Sequence, residues 1–262
     1  MKQLRKYWKI WYLMTVGSFA AMSVSRLGGM LFVFGKILRF SFFLFFLLML
    51  TGQTKALAGY SVYEVMLFYL TFYIVDTVSQ LFFREVYRFR QLVITGNFDM
   101  VLVKPVNPLF RSLLGGADPF DVVTIIPLFI FTGWVIAQLD PTPMGIFMYV
   151  LLVLSGLLIA ASFHIFVLAL GILTTEIDHA VMIYRDMTST GRVPIDIYRE
   201  PIRGILTFVI PIGVMMTFPV KALLGTLGAW SIGGSFVIAS LFVWLSIQFW
   251  RYSLRYYSSA SS

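Results

Sequence analysis

Residues that commonly carry chemistry are scarce in this chain. It has two histidines, His164 and His179, and no cysteine, which is too few ligands for a zinc cluster and leaves no thiolate site. No serine and histidine fall at the helical spacing that a membrane-embedded hydrolase would need for its nucleophile and base. The glycines never take the Gly, four residues, Gly-Lys-Ser/Thr spacing that cradles nucleotide phosphates, so any ATP must be hydrolysed on another chain. What remains is ionised side chains in apolar surroundings. Asp76 lies deep in an apolar run, and Arg185 and Asp186 sit side by side in a segment of mixed character. A charge at membrane depth is costly unless it faces water, an opposite charge or the interior of a bundle, so these three are candidates for a pathway or an interface. For Asp76, a structural hydrogen bond near the inner surface is the competing reading. The sequence points to no catalytic residue, no metal ligand and no cofactor on this chain.

The elements that must position those charges are membrane helices. Hydrophobic residues make up 59% and charged residues 12% of the 262, more apolar surface than a soluble domain could hide from water. A spanning helix needs about 20 apolar residues, so there is room for roughly five or six spans and no separate soluble domain. The net charge of +8 reads as attraction to lipid headgroups rather than to nucleic acid, because of where it lies. Lys2, Arg5, Lys6, Lys9, Arg26, Lys36 and Arg39 precede the first acid, which places the N-terminus in the cytoplasm. Residues 1–25 resemble a signal peptide in outline, but Trp8, Trp11 and Tyr12 share one helical face, as in a helix lying along the inner leaflet.

Spans are expected at about 29–50, 61–83, 119–139 and 144–174, and the last helix at about 230–250. Lys36 and Arg39 are expected to snorkel inward from the first span, with a pathway-lining role as the alternative. Asp118 before Pro119 reads as a helix N-cap, and His164 as a satisfied packing residue. Gly156 and Ala160 form a small-residue pair for close helix packing. The terminal RYSLRYY puts the C-terminus inside as well.

The longest polar interruption of the first half is Arg84 to Phe110. Arg84 and Arg88 fall one helical turn apart, with Val86, Phe89 and Val93 on another side, predicting a basic amphipathic helix that stops at Gly96. Gly96, Asn97, Pro105 and Pro108 then predict a compact irregular loop displaying Asp99 and Lys104. Between the fourth and last helices, hydropathy leaves two routes open. Either the charged stretch 176–197 crosses and the proline-broken 204–224 dips in from outside, or the reverse.

The strings GNFDMVLVKPVNPLF and GRVPIDIYREPIRGILTFVIPIGVMMTFPVKALLG resemble the type-2 permease subunits of ATP-binding-cassette transporters, in the drug- and antibiotic-efflux branch. The resemblance runs over nearly the whole chain. It implies an all-α polytopic membrane protein: one transmembrane domain over 1–262, with six transmembrane helices, an N-terminal interfacial helix over 1–25, a cytoplasmic coupling region over 84–117 and a re-entrant hairpin within 198–224. The fifth crossing is then Glu176 to Ile195, although Arg199, Arg203 and Lys221 fall outside against the positive-inside tendency. It further implies a dimer, with itself or a paralogue, that docks two copies of an ATPase carrying ATP and Mg in the cytoplasmic membrane. Arg84, Arg88, Gly96, Asn97, Phe98, Asp99, Lys104, Pro105, Asn107 and Pro108 match the ATPase-coupling region. Pro194, Pro211 and Pro219 fit broken backbone packed in protein or lining a cavity. The expected function is export of an amphiphilic or apolar substrate. An ATP-independent channel or scaffold lined by Asp76, Arg185 and Asp186 is the alternative, and it leaves the proline-rich inner loop without a purpose.

Overall fold

The computed structural model of the chain describes residues 2–22, 26–54, 57–174 and 177–258, and within them the protein is helical without a strand. Of the expected interfacial helix, residues 1 and 23–25 lie outside the described residues, as does Glu176 of the expected fifth crossing. Helix α1 (Lys2–Met22) precedes α2 (Arg26–Thr54), which runs a full turn past the predicted end. Helix α3 (Val62–Phe83) starts at a capping box: the Ser61 hydroxyl accepts from the Glu64 amide, and the Ser61 amide donates to Glu64 Oε2 at 2.6 Å. This gives Glu64, the acid near the end of the span, a local structural role.

Helix α3 is the axis of the fold. Val65, Leu67, Phe68, Tyr69 and Leu70 are all buried, and α2, the helices Pro119–Ala137 and Pro143–Thr174 and the turn at Thr190–Arg192 pack around it. After Phe83 the backbone tightens into a 3-10 turn (Arg84–Arg88) and continues as α4 (Phe89–Ile94). The helix ends where expected, at Gly96, whose φ of +71° lies in the left-handed region that glycine enters without steric cost.

The irregular loop predicted after Gly96 is not what forms. Two short helices follow, α5 (Asn97–Leu102) and α6 (Pro108–Leu113). Proline bars helix at the residue before it but suits the first helical position, and Asn107 accepts from the amides of Leu109 and Phe110, capping α6. The same device opens α7 (Pro119–Ala137), where Asp118 accepts from the amides of Phe120 and Asp121.

Helix α8 (Pro143–Thr174) has 32 residues, about 48 Å at the usual rise, well beyond the ~30 Å of a hydrocarbon layer. Its last turns pack with Phe89, Phe98 and Trp250 in a second apolar cluster. That cluster defines the basal end of the bundle, which carries α4, α5 and α6. The turns at 57–60 and 138–142 mark the opposite, distal end.

Helix α9 (Ile177–Ser189) starts at the basal end, with Ile177 against Phe89 and Gly171. Two 3-10 turns carry the chain on to Asp196, which accepts a hydrogen bond from Tyr60 at the distal end. The charged stretch therefore traverses the bundle. Next come α10 (Ile202–Val209) and α11 (Gly213–Leu223), bent against each other by 78°. Met215 lies against Gly156, partway down α8, and Leu223 against Gly145 at its distal start, so this pair returns towards the end it left. Helix α12 (Ala229–Arg255) runs back to the basal cluster through Trp250.

Close packing without a water-driven term depends on small residues at crossings. A Cβ on Gly156 would sit 2.7 Å from the Met215 carbonyl oxygen, whereas one on Gly133 meets nothing within 4 Å. Gly156→Ala is expected to destabilise the purified protein by roughly 1–3 kcal/mol through overpacking, while Gly133→Ala stabilises it by about 0.5 kcal/mol through helix propensity. Thermal unfolding in detergent reads both, and equal behaviour of the two variants would contradict the crossing.

Candidate cavity and basal platform

A cavity of about 910 Å³ lies between α2 and α7 with α3 as its floor. Its polar lining combines Lys36 and Arg39 of α2, Asp76, Gln80 and Arg84 from α3 and its extension, and Arg185 of α9. Leu31, Val33, Ile37, Val123, Pro127 and Phe131 form apolar walls. Asp76 accepts a hydrogen bond from Gln80 Nε2 at 2.8 Å, one helical turn on. Arg39 lies beside the Tyr73 hydroxyl and within electrostatic reach of Asp76.

Beneath the cavity is an ionic knot at the head of α7. Asp118 uses Oδ1 to cap the helix and Oδ2 to receive Arg84 Nε at 3.1 Å. Asp121, with 0% side-chain exposure, is paired with Lys36 through Oδ1, and Arg84 Nη1 lies 3.8 Å from Oδ2. Two carboxylates in the interior are thus met by two cations from different helices, the arrangement that makes buried charge tolerable. The Phe32 ring lies 5.3 Å from Lys36 Nζ and 5.4 Å from the Arg84 guanidinium carbon, adding cation–π contacts.

At the basal end the short helices form a platform. Phe98 is buried among Phe89, Trp250 and Tyr257, which anchors α5 to the end of α12. Asp99 accepts from the Tyr257 hydroxyl at 2.8 Å. Lys6 Nζ donates to the Pro105 carbonyl at 2.6 Å, the Asn107 amide to the Tyr7 hydroxyl and the Ala117 amide to Thr15, so α1 is strapped along the 105–117 connection. Glu85 accepts from Arg111 at 2.7 Å and ties α6 back to the α3 extension. Met100, Val103 and Lys104 face outward, with Val103 79% exposed. At the distal end, Asp196 accepts from both Tyr60 and Lys221, each at 2.8 Å.

The family model for ABC-2 family transporter proteins matches residues 36–261. The chain belongs to that family. It is the membrane permease component of an ABC transporter, and its polytopic helical fold agrees with this. Among curated proteins and among solved structures, nothing matches the chain.

The permease gathers only some of the charges singled out in its sequence. Asp76 and Arg185 line the cavity; Asp186, one residue on, is turned to the exposed side of α9. Pro194, Pro211 and Pro219 are buried in protein and do not line it. Lys36 and Arg39 both line the cavity, and Lys36 is held by an acid on another helix. Arg84 points inward to Asp118 instead of outward to a partner, and Arg88 stays exposed near Glu85. Gly96 and Asn97 shape the turn before α5, while Asp99 is half-buried against Tyr257 and is not on display. Lys104, Pro105 and Asn107 are exposed, and Pro108 is half-buried. His164 is buried and its Nδ1 is hydrogen-bonded to the Ala160 carbonyl, but among the described residues its Nε2 has no hydrogen-bond partner, so it packs as expected and is only half satisfied. Sequence reading misses the partnership of Lys36 with Asp121 and of Arg84 with Asp118. Its only trace is that opposite charges recur in separate apolar spans.

Removing one partner of the knot leaves buried carboxylate unpaired. Arg84→Met is expected to cost about 2–4 kcal/mol, whereas Arg203→Gln, which breaks the exposed pair with Glu200, costs under about 1 kcal/mol. Detergent unfolding of both variants checks this, and similar losses would place the Arg84 contacts at the surface.

The Tyr257 hydroxyl gives the C-terminal anchor a pH dependence. Loss of water contact, and then donation to Asp99, push its pKa up to about 12 from the ordinary value of 10. A raised pKa means that the contribution is complete below the unfolded value of 10 and is lost as pH rises through 12. Hydrogen exchange of α5 is therefore expected to stay flat with pH up to about 10, after intrinsic-rate correction, and to rise above it, with Tyr257→Phe abolishing the step.

Proposed function

We propose that this permease is the transmembrane subunit of an exporter whose ATPase is a separate chain docking at the basal end, with ATP and Mg bound there. The observation that carries the reading is the platform itself. Short helices α4, α5 and α6 are fixed from below by buried Phe89 and Phe98 and from the sides by α1 and α12, yet they present Met100 and Val103 outward. Exposed apolar side chains on a rigid polar rim are what a docking partner buries. A push on this platform reaches the cavity through the rigid continuation of α3, Arg84–Arg88, which carries the ionic knot.

In this reading the basal end faces the cytoplasm, as the bases of the first and last helices favour. Residues 177–197 form the fifth crossing, and α10 with α11 form a re-entrant hairpin from the outer face. Their buried prolines and 78° bend suit backbone packed in protein at membrane depth. Two permeases pair, each with its ATPase, and an amphiphilic substrate leaves between them.

Because Asp99 supports the fold, outward residues are the better test of docking. Met100→Asp with Val103→Asp is expected to abolish co-purification of an ABC ATPase identified by mass spectrometry, with unfolding temperature unchanged. Persistent co-purification would move the interface elsewhere. With no native cysteine in the chain, Arg199→Cys is expected to react with an impermeant thiol reagent from outside the cell and Val103→Cys only from within. Labelling of Arg199→Cys solely from within would sink the re-entrant assignment.

A further inference from the structure

The cavity between α2 and α7 has an unbalanced charge. Lys36, Arg39, Arg84 and Arg185 line it, and among the described residues Asp76 is the one acid in the lining. Asp118 and Asp121 lie behind it and are committed to Arg84 and Lys36. Four cations against three carboxylates leave one positive charge, and it falls to Arg39 and Arg185. Among the described residues neither of these makes a direct ion pair; Arg39 lies beside the Tyr73 hydroxyl and feels the Asp76 carboxylate at longer range, and Asp76 also accepts from Gln80.

The walls supply the other half of a binding site. They extend to Leu31, Ile37 and Val123, which are 62%, 53% and 56% exposed on helices that contribute little to the core. A volume near 910 Å³ is at the upper end of what small-molecule sites enclose, room for a headgroup and the start of a chain. A basic floor beneath an apolar, laterally open wall is matched by a molecule with one anionic head and an aliphatic tail. We propose that each permease binds one anionic amphiphile here, its phosphate or carboxylate between Arg39 and Arg185 and its chain along α2 and α7. Such a molecule cancels the surplus charge and fills the apolar wall at once, which a neutral amphiphile or a free inorganic anion does not.

Native mass spectrometry of the full-length permease, titrated separately with phosphatidylglycerol and with phosphatidylcholine of the same chains, tests this. The expected result is one phosphatidylglycerol bound at least about tenfold more tightly than phosphatidylcholine, with Arg39→Gln/Arg185→Gln weakening it by about tenfold or more. Arg39→Lys/Arg185→Lys keeps the preference. Val123→Trp fills the wall without touching a charge and also loses the tight site, so the test stands even if the glutamine pair fails to fold. Equal binding of the two lipids, or wild-type affinity in a folded glutamine pair or in Val123→Trp, overturns the proposal.

The bound amphiphile has two sources, a resident lipid or the cargo, and turnover separates them. In nanodiscs with the ATPase, phosphatidylglycerol that stays bound through ATP hydrolysis is resident, and phosphatidylglycerol that is moved is cargo; either is a filled site. Binding is read on the permease alone, so its failure leaves the exporter reading standing, and failure of ATP-driven transport leaves the binding result standing.

Discussion

Asp118 and Asp121 occupy the start of α7, and neither can be left alone in an apolar bundle. Asp118 satisfies two helix amides with one oxygen and Arg84 with the other, and Asp121 takes Lys36 from a helix 85 residues earlier in the chain. Buried carboxylates of this kind are tolerated only with their cations in place, so the positions of α2, the α3 extension and α7 are fixed together. The connection into α7 is constrained as well: a Cβ on Gly116 would collide with the Met14 backbone, and one on Gly115 would lie 2.9 Å from Glu85. The two glycines thus set how closely α1 and Glu85 approach this connection, and the knot gives the cavity two of its lining cations, Lys36 and Arg84.

The distal end has a counterpart. Asp196 accepts from Tyr60 in the turn before α3 and from Lys221 of α11, so the distal turn, the end of the charged stretch and the bent pair α10–α11 are joined by one carboxylate. Burial and its bond to Asp196 push the Tyr60 hydroxyl pKa upward, which keeps that donor protonated. Helix α3 runs between the two polar junctions with its middle fully packed, and α8 spans the same distance and beyond. Helix α3 thus joins the basal knot to the distal Asp196 junction.

Much of this architecture is legible in the amino-acid sequence. The four apolar spans, the last helix, the Asp118–Pro119 cap, the stop at Gly96 and the buried face of Val86, Phe89 and Val93 all follow from local rules, and all are observed. The segment after Gly96 departs from expectation because proline weighs as a breaker in a local reading, whereas Pro108, behind the capping Asn107, starts a helix. Asp99 is not on display because Tyr257, its partner, lies 158 residues away at the other end of the chain. Helical spacing alone groups Arg84 with Arg88 as a surface base, and spacing does not tell which side of a helix has an acid waiting on a neighbour.

What the sequence determined by itself is what depends on neighbours along the chain: membrane character, helix limits, caps, the absence of a phosphate loop, and the motifs that resemble its family. Tertiary structure decided what depends on neighbours across the bundle. Hydropathy ranks 204–224 above 176–197 as a span, because it sums each segment's own side chains. The charged segment can traverse because α3, α8 and the hairpin surround it and its Asp196 accepts from Tyr60 and Lys221. The energy of a charge is set by the group it faces, and that group is chosen only when the helices pack.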